Sequence, residues 1–215
     1  MPSPNTIKTY IENGYYHVYN RGVEKRRIFE ETRDYQRFVN YFKLYLSPIE
    51  SLRREDPLLR SSIVNANLSD QVDLLAYCLM PNHFHILLKQ RTKDGMTKLM
   101  RQISTGYSMY FNKKYERVGA LFQGIFKACL VENEDYLLHL SRYIHQNPKD
   151  RGVSLSDFQW SSYSAYMRKS EQEWLKPQDI LGYFSTTNAA NSYKNFVEEN
   201  LPGEQNLSLD HLIME

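Results

Sequence analysis

The chain has 215 residues, 27 Lys/Arg against 25 Asp/Glu, a formal net charge of +2 and 41% hydrophobic residues. This hydrophobic content excludes a disordered chain, and no apolar run reaches the roughly 18 residues of a membrane span. The first residues, MPSPN, lack the basic and apolar regions of a secretory signal, so we expect a cytoplasmic protein. Only Cys78 and Cys129 are present, which suits a reducing compartment and excludes an all-cysteine zinc site.

The near-neutral total conceals an uneven distribution of charge. Residues 1–151 hold 23 basic and 16 acidic side chains, whereas residues 152–215 hold 4 and 9. Within residues 89–127 there are 9 Lys/Arg and only two acidic residues, Asp94 and Glu116. Such a local excess indicates a face that binds a polyanion, although a solvated helix surface gives the same pattern.

Hydrophobic periodicity and turn residues divide the chain into alternating elements. A strand is predicted at 15–20 and a helix at 31–46, ended by Ser47–Pro48. Residues 49–70 are mixed and polar, which predicts a loop with room for one short helix. The remaining predictions are strands at 73–80, 83–89 and 125–131, and helices at 96–115 and 133–146 with Asn133 as the N-cap.

This order predicts an α+β, ferredoxin-like fold, which has a four-stranded antiparallel sheet with two helices on one face. The last helix of the core is additional to that fold and could cover the open face of the sheet. We predict a core over residues 1–151 and a small helical C-terminal appendage over residues 152–215. Four aromatic residues could dock the appendage on the core, namely Phe158, Trp160, Tyr163 and Tyr166.

The predicted strand 83–89 carries a His-x-His motif. Because strand side chains alternate, His83 and His85 project to one face, about 6–7 Å apart along the strand, and Phe84 projects to the other. Two imidazoles at this spacing can bind one metal ion. Two surface histidines without a metal would produce the same short motif.

The helix 133–146 places three polar side chains in one column. Tyr143 and Asn147 are four residues apart, and His139 lies one turn earlier. This column suggests a reactive site, but a core tyrosine followed by an asparagine helix stop also explains it.

Five segments together resemble the REP-associated tyrosine transposases, a branch of the HUH single-strand DNA transposases. They are residues 16–22 (YHVYNRG), 79–87 (LMPNHFHIL), 119–127 (GALFQGIFK), 142–148 (RYIHQNP) and 160–163 (WSSY). The resemblance spans roughly residues 15–166 and implies the same ferredoxin-like fold.

The resemblance also implies the roles of individual residues. His83 and His85 would bind a divalent ion, Mg²⁺ or Mn²⁺, Tyr143 would attack the DNA, and Asn147 would be a third metal ligand. His139 could replace Asn147 or support the site. The implied products are a covalent 5′-phosphotyrosine and a free 3′-hydroxyl. No phosphate-binding loop of the GxxxxGK type is present, so we expect no nucleotide cofactor.

The implied partner is single-stranded DNA with hairpin-forming repeats, bound at the nucleoid by a monomer or a homodimer. Basic side chains would neutralise its phosphates. The candidates are Lys98, Arg101, Lys113, Lys114, Arg117 and Lys127, and Arg21 is a candidate for reading bases near the foot of a hairpin.

Three alternatives remain open at this stage. The first is a catalytically silent, domesticated protein that only binds repeat hairpins. The second is a metal hydrolase or a paired-histidine phosphoesterase, but those phosphoesterases need two His-x-Thr/Ser motifs and only one His-x-His is present. A relaxase or replication initiator would share the chemistry, but this chain has no helicase motif.

Overall fold

The computed structural model describes residues 9–199. The strands are β1 Tyr15–Arg21, β2 Val72–Met80, β3 His83–Gln90 and β4 Lys127–Val131. The helices are α1 Thr32–Leu46, α2 Ile49–Glu55, α3 Ser61–Ala66, α4 Gly95–Lys114, α5 Glu134–Gln146, α6 Tyr163–Tyr166, α7 Gln178–Leu181 and α8 Tyr193–Glu198.

The four strands form one antiparallel sheet in the order β2-β3-β1-β4. This is the predicted ferredoxin-like α+β fold, and the prediction is confirmed. Tyr19 on β1 lies opposite His85 on β3 and opposite Lys127 on β4, so these three side chains share one face of the sheet.

Helices cover both faces of the sheet. Phe38 on α1 contacts Phe84 on β3 with ring centroids 5.2 Å apart, and Tyr107 on α4 contacts Phe38 at 5.1 Å. These rings are fully buried and form the core on that face. Tyr143 on α5 lies 5.4 Å from His85, ring to ring. Because Phe84 and His85 are adjacent in a strand, α5 lies on the opposite face from α1 and α4.

Two details differ from the sequence predictions. Residues 49–70 contain two short helices, α2 and α3, where we expected a loop with room for one. Strand β4 begins at Lys127 rather than at residue 125, because residues 116–126 form an irregular loop with Gly119 and Gly124 at φ values of +96° and +94°. This loop is anchored where the amide of Gln123 donates to the carbonyl of Arg21.

The C-terminal residues extend the outer edge of β2. The amide of Leu79 donates to the carbonyl of Trp160, and the amide of Ser162 donates to the carbonyl of Tyr77. This pairing covers a sheet edge that would otherwise expose unpaired backbone groups. Of the aromatic residues expected to dock this segment, Tyr163 and Tyr166 are buried and Phe158 and Trp160 are partly buried. The division at residue 151 stays a prediction.

A buried carboxylate joins the start of α1 to the end of α4. Asp34 is fully buried and accepts hydrogen bonds from Lys114, Tyr110, Tyr115 and two backbone amides. Burial acts to raise the pKa of Asp34, but the bonds from Lys114, Tyr115 and the amides outweigh it and lower the pKa. The carboxylate is therefore charged in the folded protein.

We expect Asp34→Ala to lower the free energy of unfolding by about 3–5 kcal/mol, because it leaves the Tyr110 and Tyr115 hydroxyls without their carboxylate acceptor and removes the buried partner of Lys114, which keeps the exposed Glu31. Urea denaturation measures this, with Asp94→Ala as the control for an exposed ion pair. The pKa of Asp34 is lower in the folded protein than in the unfolded chain. Its contribution to stability is therefore fully present above the unfolded pKa of ~3.9 and is lost as the pH falls through the lower, folded-state pKa. An unchanged urea midpoint would contradict this account.

Candidate active site

Strand β3 presents the two histidines of the His-x-His motif on the face covered by α5. His85 is buried, whereas His83 is half-buried, and the ring centroids are 5.0 Å apart. Burial lowers the pKa of His85 well below its ordinary value, and the neighbouring His17 and His83 rings lower it further. His85 is therefore neutral, as an imidazole ligand of a metal must be.

Asn82 fixes which nitrogen of His83 carries the proton. The side-chain amide of Asn82 donates to the carbonyl of Lys25, which leaves Asn82 Oδ1 as an acceptor. His83 Nδ1 lies 2.7 Å from this oxygen and must donate to it. The lone pair of neutral His83 is then on Nε2, which lies 3.5 Å from Asn147 Oδ1.

The C-terminal turn of α5 supplies a tyrosine and an amide to the same place. Tyr143 is half-buried, with its ring edge against His85. The Asn147 side-chain nitrogen donates to the carbonyl of Tyr143 at 3.0 Å, so Asn147 Oδ1 points toward His83. The predicted site residues Tyr143, His83, His85 and Asn147 are thus brought together by the fold.

A buried polar network holds this end of α5 in place. His145 is fully buried, with Nδ1 2.7 Å from the hydroxyl of Tyr193 on α8 and Nε2 2.7 Å from Ser162 Oγ. Burial lowers the pKa of His145 to about 3, so the ring stays neutral. Both partners belong to the C-terminal residues, which therefore contribute to positioning the helix that carries Tyr143.

His139 contacts helix α8. Its ring centroid is 5.6 Å from that of Phe196 on α8. Burial lowers the pKa of His139, and the nearby Arg142 lowers it further. The structure favours Asn147 over His139 as the third polar group of the site.

The donor atoms at this site suit a divalent ion that binds both nitrogen and oxygen ligands. The described part of the chain contains no group of three or more His, Cys, Asp or Glu that could hold a metal. What converges instead is two imidazoles and one amide oxygen. Imidazole suits transition metals such as Mn²⁺, and an amide oxygen suits Mg²⁺ or Mn²⁺, with water completing the coordination.

His17 on β1 is a further member of the cluster that the sequence predictions missed. It is fully buried, and its Nε2 lies 2.9 Å from His85 Nδ1. Burial lowers the pKa of His17 to about 3. Its presence in the YHVYNRG segment was the available signal, but the register that pairs β1 with β3 is needed to connect it with His85.

The seven basic residues predicted to bind DNA do not form one patch. Arg21 lies directly opposite His83, and Lys127 lies opposite Tyr19, on the face of the site. Lys113 is exposed and Arg117 is half-buried, both near the C-terminal end of α4.

Two of the other three cations are already paired. Lys114 is bound to Asp34 and Glu31, and Lys98 is paired with Asp94 at 2.9 Å and bonded to Gln71. Arg101 is exposed, but it shares the N-terminal half of α4 with Lys98. At ~1.5 Å per residue, Lys98 is about 24 Å along the helix from Lys114.

Comparison with known proteins identifies the class of this chain. The family model of IS200-like transposases matches residues 10–147. The chain therefore belongs to the IS200-like transposase family. A solved structure of the REP-associated tyrosine transposase bound to a REP hairpin is similar in fold, with a TM-score of 0.52 and 17% identity. That match covers 91% of this chain and 96% of the other. No curated protein matches. The resemblance drawn from the sequence motifs is confirmed.

None of the helices within residues 9–199 is long and apolar enough to cross a membrane.

Proposed function

We propose that this protein is a metal-dependent single-stranded DNA endonuclease and strand transferase, a transposase that cleaves at repeat hairpins through a covalent 5′-phosphotyrosine. The observation that carries the proposal is the convergence of Tyr143, His83, His85 and Asn147 at one end of the sheet. Membership of the IS200-like transposase family supports it. The direct test is formation of a protein–DNA adduct with hairpin DNA from the flanks of its own gene.

Tyr143 would supply the nucleophile. Its hydroxyl oxygen forms a bond to the phosphorus of a DNA phosphodiester, and the bond from phosphorus to the 3′ oxygen breaks. The phenol loses its proton, and the released 3′ oxygen gains one and becomes a hydroxyl. The new phosphotyrosine is itself a diester, so reversal by a 3′-hydroxyl rejoins a strand without ATP.

His83 Nε2, His85 and Asn147 Oδ1 would hold the divalent ion. When bound, such an ion polarises a non-bridging phosphate oxygen and helps to orient the scissile group. The edge-on packing of Tyr143 against His85 restricts where the tyrosine hydroxyl can point. This restriction lowers the entropy that is lost when nucleophile and phosphate meet.

Arg21 and Lys127 are the cations best placed to hold the DNA beside this site. Arg21 Nε is buried and has no hydrogen-bond partner within residues 9–199. As a residue Arg21 is half-buried, so the rest of its guanidinium can donate to a DNA phosphate. Lys113 and Arg117 could extend the path along the end of α4. The REP hairpin in the similar solved structure supports DNA of this kind as the partner.

This assignment predicts that neutralising the site-face cations weakens binding to all hairpin sequences about equally. For Arg21→Gln and Lys127→Gln, each lost phosphate contact should reduce the slope of log K against log salt by about 0.7–0.9. Fluorescence anisotropy with labelled hairpin DNA at several salt concentrations measures both effects.

The matched control removes exposed charge elsewhere. Arg53→Gln changes an exposed arginine on α2 and should leave the slope unchanged. An equal effect of Arg53→Gln and Arg21→Gln would show that total charge, not position, determines binding, and would contradict the proposed DNA path.

A second pair of variants separates the two candidates for the third metal ligand. We expect Asn147→Ala to weaken Mn²⁺ binding by at least about 10-fold, because it removes the oxygen that faces His83 Nε2. His139→Ala should change Mn²⁺ affinity less than about twofold, because its ring packs on Phe196. Electron paramagnetic resonance of free Mn²⁺ gives both affinities. The reverse ranking would assign the role to His139.

An enzyme that acts on chromosomal repeats would work at the nucleoid in the cytoplasm. Sedimentation of the DNA complex would distinguish a monomer from a homodimer. If hairpin binding is observed without any covalent adduct, the catalytically silent hairpin-binding protein is the better description.

A further inference from the structure

His17 occupies a position where an ordinary core residue would suffice. It lies in the middle of β1, opposite Leu87 on β3 and Cys129 on β4, and it is fully buried. Its Nδ1 is buried without a hydrogen-bond partner within residues 9–199. An unsatisfied buried polar atom costs about 1–3 kcal/mol. Leucine would avoid this cost, so packing alone does not explain a histidine here.

Among residues 9–199, the His17 side chain makes one polar contact, which is with His85. The atoms His17 Nε2 and His85 Nδ1 are 2.9 Å apart, and the two rings are stacked with an angle of 20° between their planes. Two neutral imidazoles form such a bond only when one nitrogen carries a hydrogen and the other a lone pair. The contact therefore links the tautomers of the two rings.

Only one of the two arrangements leaves His85 able to bind a metal. If His17 Nε2 donates, the hydrogen of neutral His85 must be on Nε2, and neither nitrogen of His85 offers a free lone pair. If His85 Nδ1 donates, the lone pair of His85 is on Nε2. Asn82 imposes the corresponding tautomer on His83, with the hydrogen on Nδ1 and the lone pair on Nε2, which faces Asn147.

We propose that His17 is a positioning residue that accepts a hydrogen bond from His85 Nδ1 and thereby fixes His85 as an Nε2 metal ligand. This inference rests on the proposed function, because it assumes that His85 binds the ion. Asn82 and His17 would then act on the two ligands in the same way, one from the β2–β3 turn and one from β1.

Two substitutions of similar size test the role of the acceptor. His17→Gln can place an amide oxygen near the position of Nε2, whereas His17→Leu fills similar space and accepts no hydrogen bond. Mn²⁺ affinity is measured by electron paramagnetic resonance on the full-length chain, and thermal unfolding without metal reports folding. We expect His17→Leu to weaken Mn²⁺ binding about 10–100-fold and His17→Gln to restore most of the loss.

A measurement on the parent protein does not depend on the stability of any variant. Long-range ¹H–¹⁵N correlation spectra of the metal-free protein report which nitrogen of His85 carries the proton. We expect Nδ1. A proton on Nε2 would overturn the inference even if both variants failed to fold.

The outcomes separate the inference from the proposed function. If the parent binds Mn²⁺ tightly and His17→Leu binds it equally tightly, His17 has no positioning role and the proposed metal site stands. If the parent binds no Mn²⁺, the metal site itself is wrong and the inference is overturned with it.

Discussion

Tyr143→Phe should abolish the covalent protein–DNA adduct while leaving hairpin binding within about twofold of the parent. The substitution removes the oxygen that would attack phosphorus and keeps the aromatic ring that packs edge-on against His85. Loss of an enzymatic nucleophile lowers the rate by several orders of magnitude, on the order of 10⁴-fold or more. A denaturing gel with end-labelled single-stranded hairpin DNA measures adduct formation.

Tyr136→Phe is the matched control for this experiment. Tyr136 lies on the same helix, α5, near its N-terminal end, and is also partly buried. The Tyr136→Phe variant should form the adduct at the same rate as the parent protein. If Tyr143→Phe still forms a stable adduct, another nucleophile is responsible and the central assignment is wrong.

His83→Ala should reduce Mn²⁺-dependent cleavage by at least about 10³-fold, because it removes a group that would bind the ion directly. Loss of a residue that only supports a ligand already costs about 10–100-fold. His83 is half-buried, so its replacement leaves little cavity and the protein should remain folded. Single-turnover cleavage at several Mn²⁺ concentrations gives the rate and the apparent affinity together.

The hairpin affinity of His83→Ala provides the internal control. Measured in EDTA, it should match that of the parent, because Arg21 and Lys127 are unchanged. Cleavage at the parent rate by His83→Ala would exclude His83 as a metal ligand. A parallel loss of hairpin binding would instead indicate that His83 acts by holding DNA.

The fold could be predicted from the sequence because the long core helices have a clear hydrophobic period and the strands are short apolar or aromatic runs bounded by turn residues. The hairpin of β2 and β3 and the N-cap of α5 at Asn133, which accepts from the amide of Tyr136, are local features. The sequence did not predict α2 and α3 as two separate helices, because residues 49–70 are polar and have only a weak hydrophobic period. The bond from Asn67 to the carbonyl of Ser47 joins the two ends of this segment, a contact that the local sequence pattern cannot reveal.

Sequence motifs predicted the cluster of His83, His85, Tyr143 and Asn147. They did not predict the contacts that support these residues. The contact between His17 and His85 joins residues 68 apart in sequence and depends on strand register. The DNA-binding cations were predicted from local charge density, which cannot reveal ion pairing. Lys114 is engaged by Asp34, 80 residues away, and only the three-dimensional structure shows this pairing.

The identity of the covalent linkage tests the central claim most directly. The protein would be incubated with single-stranded hairpin DNA and Mn²⁺, digested with nuclease and trypsin, and analysed by tandem mass spectrometry. The tryptic peptide 143–149, YIHQNPK, contains one tyrosine and no serine or threonine. We predict a nucleotide 5′-phosphate mass on Tyr143. An adduct on any other residue, or no adduct under conditions where the hairpin is bound, would contradict the mechanism.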